Sequence, residues 1–447
     1  MKTNLSRWLG PGIYSLLNRL VMVGFGFVNV VLLVRMLSKP EFGTWALYLS
    51  VTSVLELMKQ GFIQNPFIAT WVGSNEEQQS DVLGSSLLLN VGLSLILFLI
   101  VWLSAPSIAQ LWHSTTLHHA LYIYAFQNIV FVPLLYFESL QLIKLQYEGI
   151  FISNVIRHGI LTLYILGALM LKIDISLFNL ALAQTIGTVL AAATAYLYVR
   201  GLVSLKMRVD KLIVYRLVHL GKFTFGTNLS SMVLKNTDAW MLGKMATPAA
   251  VAVYNPALKL SNIFEVPTMA IATMVFPQIG SKMKHQGKKG IREIYEKSVS
   301  LMLALILPVM IVVFVLAEWI VSLIFGPDYI DSVAILRVTV LHSMIVPFNR
   351  QFGTVFDGLQ KPRWNFYVLL FTALLNIVLN IIFFNIFGII GCAYATLLSI
   401  ATVFIFNQIV LYRTFRISVL TVLQNVLQWY VNGWAILMRK VSRALQA

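Results

Sequence analysis

Charge is the scarcest commodity in this chain of 447 residues: only 11% of them are Asp, Glu, Lys or Arg, against 58% hydrophobic. Residues 364–412 contain no charged side chain at all. A soluble protein of this size could not hide so much apolar surface, and the mean hydropathy of +0.81 excludes one. There is one cysteine, Cys392, so no internal disulfide forms and the redox compartment leaves no trace. No Walker-type glycine loop is present, which excludes an ATPase of its own. No predicted outer loop is long enough for a catalytic domain, so an enzyme acting on glycans is not expected. His113, His118 and His119 cluster without a nearby carboxylate or cysteine, and no metal site is expected.

What is present is a succession of apolar stretches, each near the 20 or so residues that cross a bilayer. They are continuously apolar rather than alternating, which favours helices over a barrel. Twelve spans are predicted, near 11–34, 42–63, 83–104, 121–143, 150–171, 176–199, 222–243, 249–277, 298–324, 333–357, 364–387 and 389–412. The fold class is therefore all-α, a polytopic membrane protein. Lys2 and Arg7 precede an apolar run, as in a signal peptide, but that run carries Arg19 and is too long to be a cleaved segment.

The net charge of +16 follows from topology rather than from a nucleic-acid partner. Arg19, Lys235, Lys259 and Arg350 fall inside predicted spans. Of the remaining Lys and Arg, all but Arg35, Lys39, Lys172, Lys244 and Arg337 then fall on one side. The positive-inside rule makes that side cytoplasmic and places both termini there. The acidic loop at 73–82, with Glu76, Glu77 and Asp81, runs weakly against this frame.

Val419 to Met438 is uncharged and long enough for a thirteenth span. However, Thr421, Asn425, Gln428, Asn432, Arg439 and Ser442 fall on one face, with Leu420, Leu423, Leu427, Tyr430, Trp434, Leu437 and Val441 mostly opposite. That pattern predicts an amphipathic cytoplasmic helix at the interface over 417–447. A weak repeat divides the rest. "RMLSKP" (Arg35–Pro40) is echoed by "KMATP" (Lys244–Pro248), and "APSIAQL" (Ala105–Leu111) by "AEWIVSL" (Ala317–Leu323), at offsets of 209 and 212. Two six-helix lobes are expected, 1–205 and 206–416, with a central cavity between them.

A cation near the bilayer centre costs roughly 3 kcal/mol. Four in one chain point to an anionic cargo. Arg19 and Arg350 lie toward the inner half and suit first capture. Lys235 and Lys259 lie deeper and suit a site whose charge changes. Each has a plainer alternative: Arg19 can snorkel, and Lys235 can pair with Asp238 three residues on. Pro256 and Pro267 should kink the eighth span around Lys259 and Glu265. Glu56, Glu138, Asp238 and Glu265 are the candidate counter-ions or coupling-ion ligands. For Glu56 and Glu138, near inner ends, exposure to headgroup water is an equal expectation. Asn228, Asn236, Asn376 and Asn380 are expected to bridge helices.

"LLVRMLSKPEFGTWAL" (Leu32–Leu47) and "GLQKPRWNFY" (Gly358–Tyr367) resemble segments of bacterial polysaccharide-export flippases. Those belong to the multidrug/oligosaccharidyl-lipid/polysaccharide exporter superfamily. Arg35, Leu37, Pro40, Glu41, Phe42 and Gly43 match the family pattern. Lys59-Gln60-Gly61 departs from it where Asp-Leu-Gly is common, and the first span lacks the carboxylate of the drug-exporting branch. The resemblance implies a flippase moving a polyprenyl-diphosphate-linked oligosaccharide across the cytoplasmic membrane for O-antigen, capsule or exopolysaccharide synthesis. It implies membrane lipids, a polymerase and chain-length machinery as partners. No cofactor is implied beyond a coupling proton or sodium ion. The alternative within the superfamily is an ion-coupled multidrug antiporter.

Overall fold

The computed structural model describes residues 2–201 and 207–445; the side chains of 2–12, 16, 223, 362 and 433–445 lie outside the description. The helices are α1 Lys2–Met36, α2 Lys39–Lys59, α3 Asn65–Val72, α4 Glu76–Leu111, α5 Leu117–Ile143, α6 Tyr147–Leu171, α7 Leu177–Val199 and α8 Lys211–Met245. They continue with α9 Pro248–Ser261, α10 Glu265–Val315, α11 Ala317–Phe325, α12 Ser332–Ser343, α13 Val346–Gly358, α14 Pro362–Phe387, α15 Ile389–Phe415 and α16 Val419–Leu445. No strand occurs among the described residues. The fold is all-α and multi-pass.

Among the described residues, nine stretches are long and apolar enough to cross a membrane by length and composition. One of them, Pro248–Val315, is 68 residues long and holds two predicted spans. The predicted second and seventh spans, on α2 and α8, are absent from the nine. Both carry charge at depth: Glu56 and Lys59 on α2, Lys235 and Asp238 on α8. Charge at depth thus lowers the hydropathy of α2 and α8, although α5, α6, α10 and α13 carry charged side chains and still qualify.

The motif around Pro40 has a local structural reason. The Glu41 carboxylate accepts from the Ser38 N–H at 3.0 Å and from its hydroxyl at 2.7 Å, fixing the start of α2. Phe42 is buried. A Cβ on Gly43 would lie 1.7 Å from the Pro248 carbonyl oxygen, so only glycine lets the two repeated turns meet.

Proline places the breaks. Pro267 has no N–H for the Ile263 carbonyl, and the chain makes a 3-10 turn over Asn262–Phe264 before α10. Pro347 likewise follows the gap between α12 and α13. The basic stretch at 282–297, between the predicted eighth and ninth spans, is helical within α10 and turns at Gly287, whose φ is 60°. The run has no proline, and its lysines, arginine and glutamates are good helix formers.

The chain divides into two compact units, Met1–Ala252 and Val253–Ala447. The expected lobe boundary at 205/206 falls on residues outside the description. The seventh span, α8, groups with the first unit because it packs on α2, α3 and α4. Trp240 Nε1 donates to Ser50 Oγ at 2.8 Å, and Trp112 Nε1 donates to the Trp240 carbonyl at 3.3 Å.

In the second unit α16 packs on α10. The Ser418 N–H donates to Glu296 Oε1 at 3.1 Å, Trp429 Nε1 to Ser300 Oγ at 3.1 Å and the Tyr430 hydroxyl to the Ala304 carbonyl at 2.9 Å. Val422 and Val426 are buried on this face, while Leu420, Leu423 and Leu427 are exposed. The side chains of Trp434, Leu437, Arg439, Val441 and Ser442 lie outside the description.

Candidate functional site

The first unit holds a cluster of charge built on α2, α5 and α6. Glu56 and Lys59 are three residues apart on α2 and therefore share a face. Lys59 is fully buried, at 0% exposure. Its ammonium donates to both oxygens of Asn128 on α5, to the carbonyl at 2.9 Å and to Oδ1 at 3.1 Å. Asn128 Nδ2 in turn donates to the Ser94 carbonyl on α4 at 2.8 Å. Three helices are thereby tied to one cation.

Arg157 on α6 is 8% exposed, and its guanidinium pairs with the Glu56 carboxylate, which is 16% exposed. Phe131 on α5 is close to both cations: Lys59 Nζ is 5.1 Å and Arg157 Cζ 4.9 Å from its ring centroid. Aromatic faces stabilise desolvated cations in this arrangement. Glu138, seven residues beyond Phe131 on the same face of α5, lies within electrostatic reach of both Arg157 and Glu56. Two carboxylates are thus gathered with two basic side chains. Arg157 Nε, His158 Nε2 and the Tyr48 hydroxyl are buried without a hydrogen-bond partner among the described residues. The cluster's hydrogen-bonding capacity is therefore not saturated among the described residues.

Local backbone makes room for it. Immediately after Lys59 the chain forms a π-helical turn, Gln60–Gln64. Such turns leave carbonyls without regular partners, which is costly in a membrane. Side chains from α8 supply two donors: Asn228 Nδ2 donates to the Leu57 carbonyl at 3.2 Å, and Thr224 Oγ1 donates to the Gly61 carbonyl.

A second, smaller group lies in the second unit at two helix breaks. Glu265 follows the 3-10 turn and Arg350 follows the gap before α13. Their charged ends are 3.9 Å apart, an ion pair without a hydrogen bond, with side chains 27% and 37% exposed. His342, at the end of α12, lies within electrostatic reach of Glu265, and its Nδ1 has no hydrogen-bond partner among the described residues. Ser261 and Thr339 join the flanking helices through hydroxyls 2.6 Å apart.

The remaining sequence candidates are placed as follows. Arg19 on α1 and Lys235 on α8 are exposed in the first unit; Asp238 is buried in the same helix as Lys235. Lys259 on α9 is half-buried, with no ion-pair partner within 4 Å among the described residues. Glu56 is not a headgroup-facing carboxylate but the partner of Arg157, and Glu138 is half-buried beside them. The charge census places Arg157 with the cytoplasmic cations although it falls inside the predicted fifth span; the structure buries it. Lys59 was read only as a departure from a motif. Asn376 bridges α14 to α15 through Thr396 at 2.9 Å, and Asn228 bridges α8 to α2, whereas Asn236 bonds within its own helix. No group of metal-ligating side chains occurs among the described residues.

Residues 32–334 match the family described as "Polysaccharide biosynthesis protein". Among curated relatives, the probable low-salt glycan biosynthesis flippase Agl15 of Haloferax volcanii is 22% identical over 185 residues, 41% of this chain and 39% of that one. The probable flippase AglR of the same organism is 27% identical over 176 residues, 38% and 37% of the two chains. The matched region therefore spans about two fifths of these relatives. Among solved structures, lipid II flippase MurJ in an inward closed conformation superposes with a TM-score of 0.77 at 15% identity, covering 96% of this chain and 92% of that one. An inward-facing multidrug resistance MATE transporter of the MOP superfamily gives 0.76 at 12% identity, covering 87% and 94%. At such identities the likeness establishes the fold alone. The chain is a multi-pass membrane protein that belongs to the polysaccharide biosynthesis protein family.

Proposed function

We propose that this protein is a flippase. It moves a polyprenyl-diphosphate-linked oligosaccharide from the inner to the outer leaflet of the cytoplasmic membrane by alternating access, with both termini inside. The product feeds synthesis of a surface glycan such as an O-antigen, capsule or exopolysaccharide, handed on to a polymerase and chain-length machinery. The observation that carries this reading is the set of intramembrane cations in a chain of this family. Arg19 and Lys235 are exposed, Arg350 is partly exposed and Lys259 is half-buried. Guanidinium and ammonium donors suit a diphosphate, which supplies the charge that offsets their desolvation. Membrane-embedded cations serve a cationic drug poorly. The flippase descriptions of the two archaeal relatives support the same reading.

The carboxylates have a separate role. Glu56 and Glu138 flank Arg157, and Glu265 faces Arg350. A proton or sodium ion arriving at one carboxylate frees part of the arginine's charge for its other neighbours. Energy from an ion gradient enters transport by that route, with Asp238 as a further ligand.

The test is reconstitution of the purified chain in liposomes carrying a fluorescent polyprenyl-diphosphate oligosaccharide. Translocation is read as access of an external glycan-cleaving enzyme to cargo that began in the inner leaflet. Protein-dependent access supports the reading. Transport of a cationic dye with no glycan translocation would overturn it in favour of a multidrug antiporter.

A further inference from the structure

Away from the charged clusters, a groove of about 670 Å³ runs between α14 and α15. Its walls include Trp364, Tyr367 and Phe371 from α14 and Thr402 and Phe406 from α15. The wall is apolar even at Thr402, whose hydroxyl donates to the Leu398 carbonyl at 2.8 Å within its own helix. One end is different. Arg363 closes the groove at the start of α14, is exposed, and has no ion-pair partner within 4 Å among the described residues.

Two further cations stand at the same level. α14 and α15 form a hairpin about Gly388, so Arg363 and Arg413 are each 25 residues from the turn. Lys361 precedes Arg363 by two residues, and both Lys361 and Arg413 are exposed. The rim is basic, the first wall residues are Trp and Tyr, and the interior is apolar. This is the order of chemistry met on passing from headgroup to hydrocarbon.

The groove's depth identifies its occupant. From Arg363 to Phe371 the helix rises about 12 Å. One leaflet contributes about 15 Å of hydrocarbon. The groove therefore matches the acyl chain of a lipid confined to one leaflet. A long polyprenyl chain would overrun it.

We propose that this groove is a binding site for an anionic phospholipid of the bilayer. Its phosphate is held by Arg363, with Lys361 and Arg413 at the rim, and one acyl chain lies between α14 and α15. The site is separate from the intramembrane cations assigned to cargo and does not depend on that assignment.

Native mass spectrometry of the full-length protein tests this, after incubation with equimolar phosphatidylglycerol and phosphatidylcholine. The wild type should retain phosphatidylglycerol in preference. Arg363→Gln should lower that preference about fivefold, the effect of one basic side chain at an anionic surface, and Arg363→Lys should restore most of it. Thr402→Trp, which fills the groove, should abolish retention with the cations intact. If Thr402→Trp does not fold, phosphatidylglycerol with chains too short to reach Phe371 replaces it, and should be retained poorly by the wild type. Equal retention of the two lipids by the wild type would overturn the proposal. So would undiminished retention in Thr402→Trp, or full retention of the short-chain lipid. Displacement of phosphatidylglycerol by an equal concentration of polyprenyl monophosphate would reassign the groove to cargo.

Discussion

Replacing Glu56 by Gln should be among the most damaging single changes in the first unit. The substitution keeps the shape of the side chain and removes one charge. Arg157 is then left 8% exposed, opposite an amide that no longer offsets it, with Nε already unpartnered. Removing one partner of a buried ion pair costs about 3–5 kcal/mol. Glu138 remains within electrostatic reach of Arg157, and Glu56 is itself partly accessible, so the lower end applies, about 3 kcal/mol. For a unit of this size each kcal/mol moves the melting temperature by about 2–4 °C, giving a fall of about 6–12 °C. The assay is thermal unfolding of the detergent-purified protein, followed by loss of the monodisperse peak. Arg157→Gln alone should cost a similar amount, because Glu56 and Glu138 then repel each other. The double variant should recover part of the loss, giving a coupling energy of about 1–3 kcal/mol in the cycle. Additivity of the two single changes to within about 0.5 kcal/mol would refute the pairing as the source of the stability.

Three other outcomes follow from the same geometry. Lys59→Met should destabilise by about 1–3 kcal/mol, since the Asn128 carbonyl and Oδ1 lose their donor, and chemical denaturation of the purified protein measures it. Arg350→Gln should leave the melting temperature nearly unchanged, because its pair with Glu265 is long and partly exposed and is worth under about 1 kcal/mol; translocation should nevertheless fall in the liposome assay. Gly43→Ala should destabilise by about 1–3 kcal/mol or more by driving a methyl into the Pro248 carbonyl, whereas Gly24→Ala, with open space around it, should be neutral or mildly stabilising; parallel melting curves of the two separate them.

The sequence made the all-α, multi-pass character plain because lipid-facing helices must be apolar along a length fixed by the bilayer. It also marked the break at Pro267 and the turn at Pro40, since proline acts through a missing donor, but Pro256, expected to kink the same span, lies inside α9 without interrupting it. Arg157 was legible in part. Ser153, Asn154 and Arg157 are spaced three and four apart in α6, and all are buried, while Leu163, Leu166, Leu169 and Met170 are exposed. A polar stripe inside an apolar helix was therefore available as a signal. What hid it was its nearness to the predicted inner end, where a cation needs no explanation. Lys59 was masked in the same way, and its partner is a backbone carbonyl and an asparagine, which no charge pattern reveals. The convergence of Glu56, Arg157 and Glu138 comes from three helices far apart in sequence and is a tertiary fact. The helical stretch at 282–297 is masked for the opposite reason: its dense positive charge marks it as lying outside the membrane, and only Gly287 and Gly290 work against a helix there.

In the proposed function, cations within the membrane take an anionic, lipid-linked glycan. The most direct measurement of this compares the wild type with the Arg19→Gln, Lys235→Gln, Lys259→Gln, Arg350→Gln variant in the reconstituted translocation assay. Insertion is matched by the amount of monodisperse protein in the liposomes. The translocation rate should fall by at least about tenfold, the equivalent of about 1.4 kcal/mol of lost cargo binding. An unchanged rate at equal insertion would contradict it.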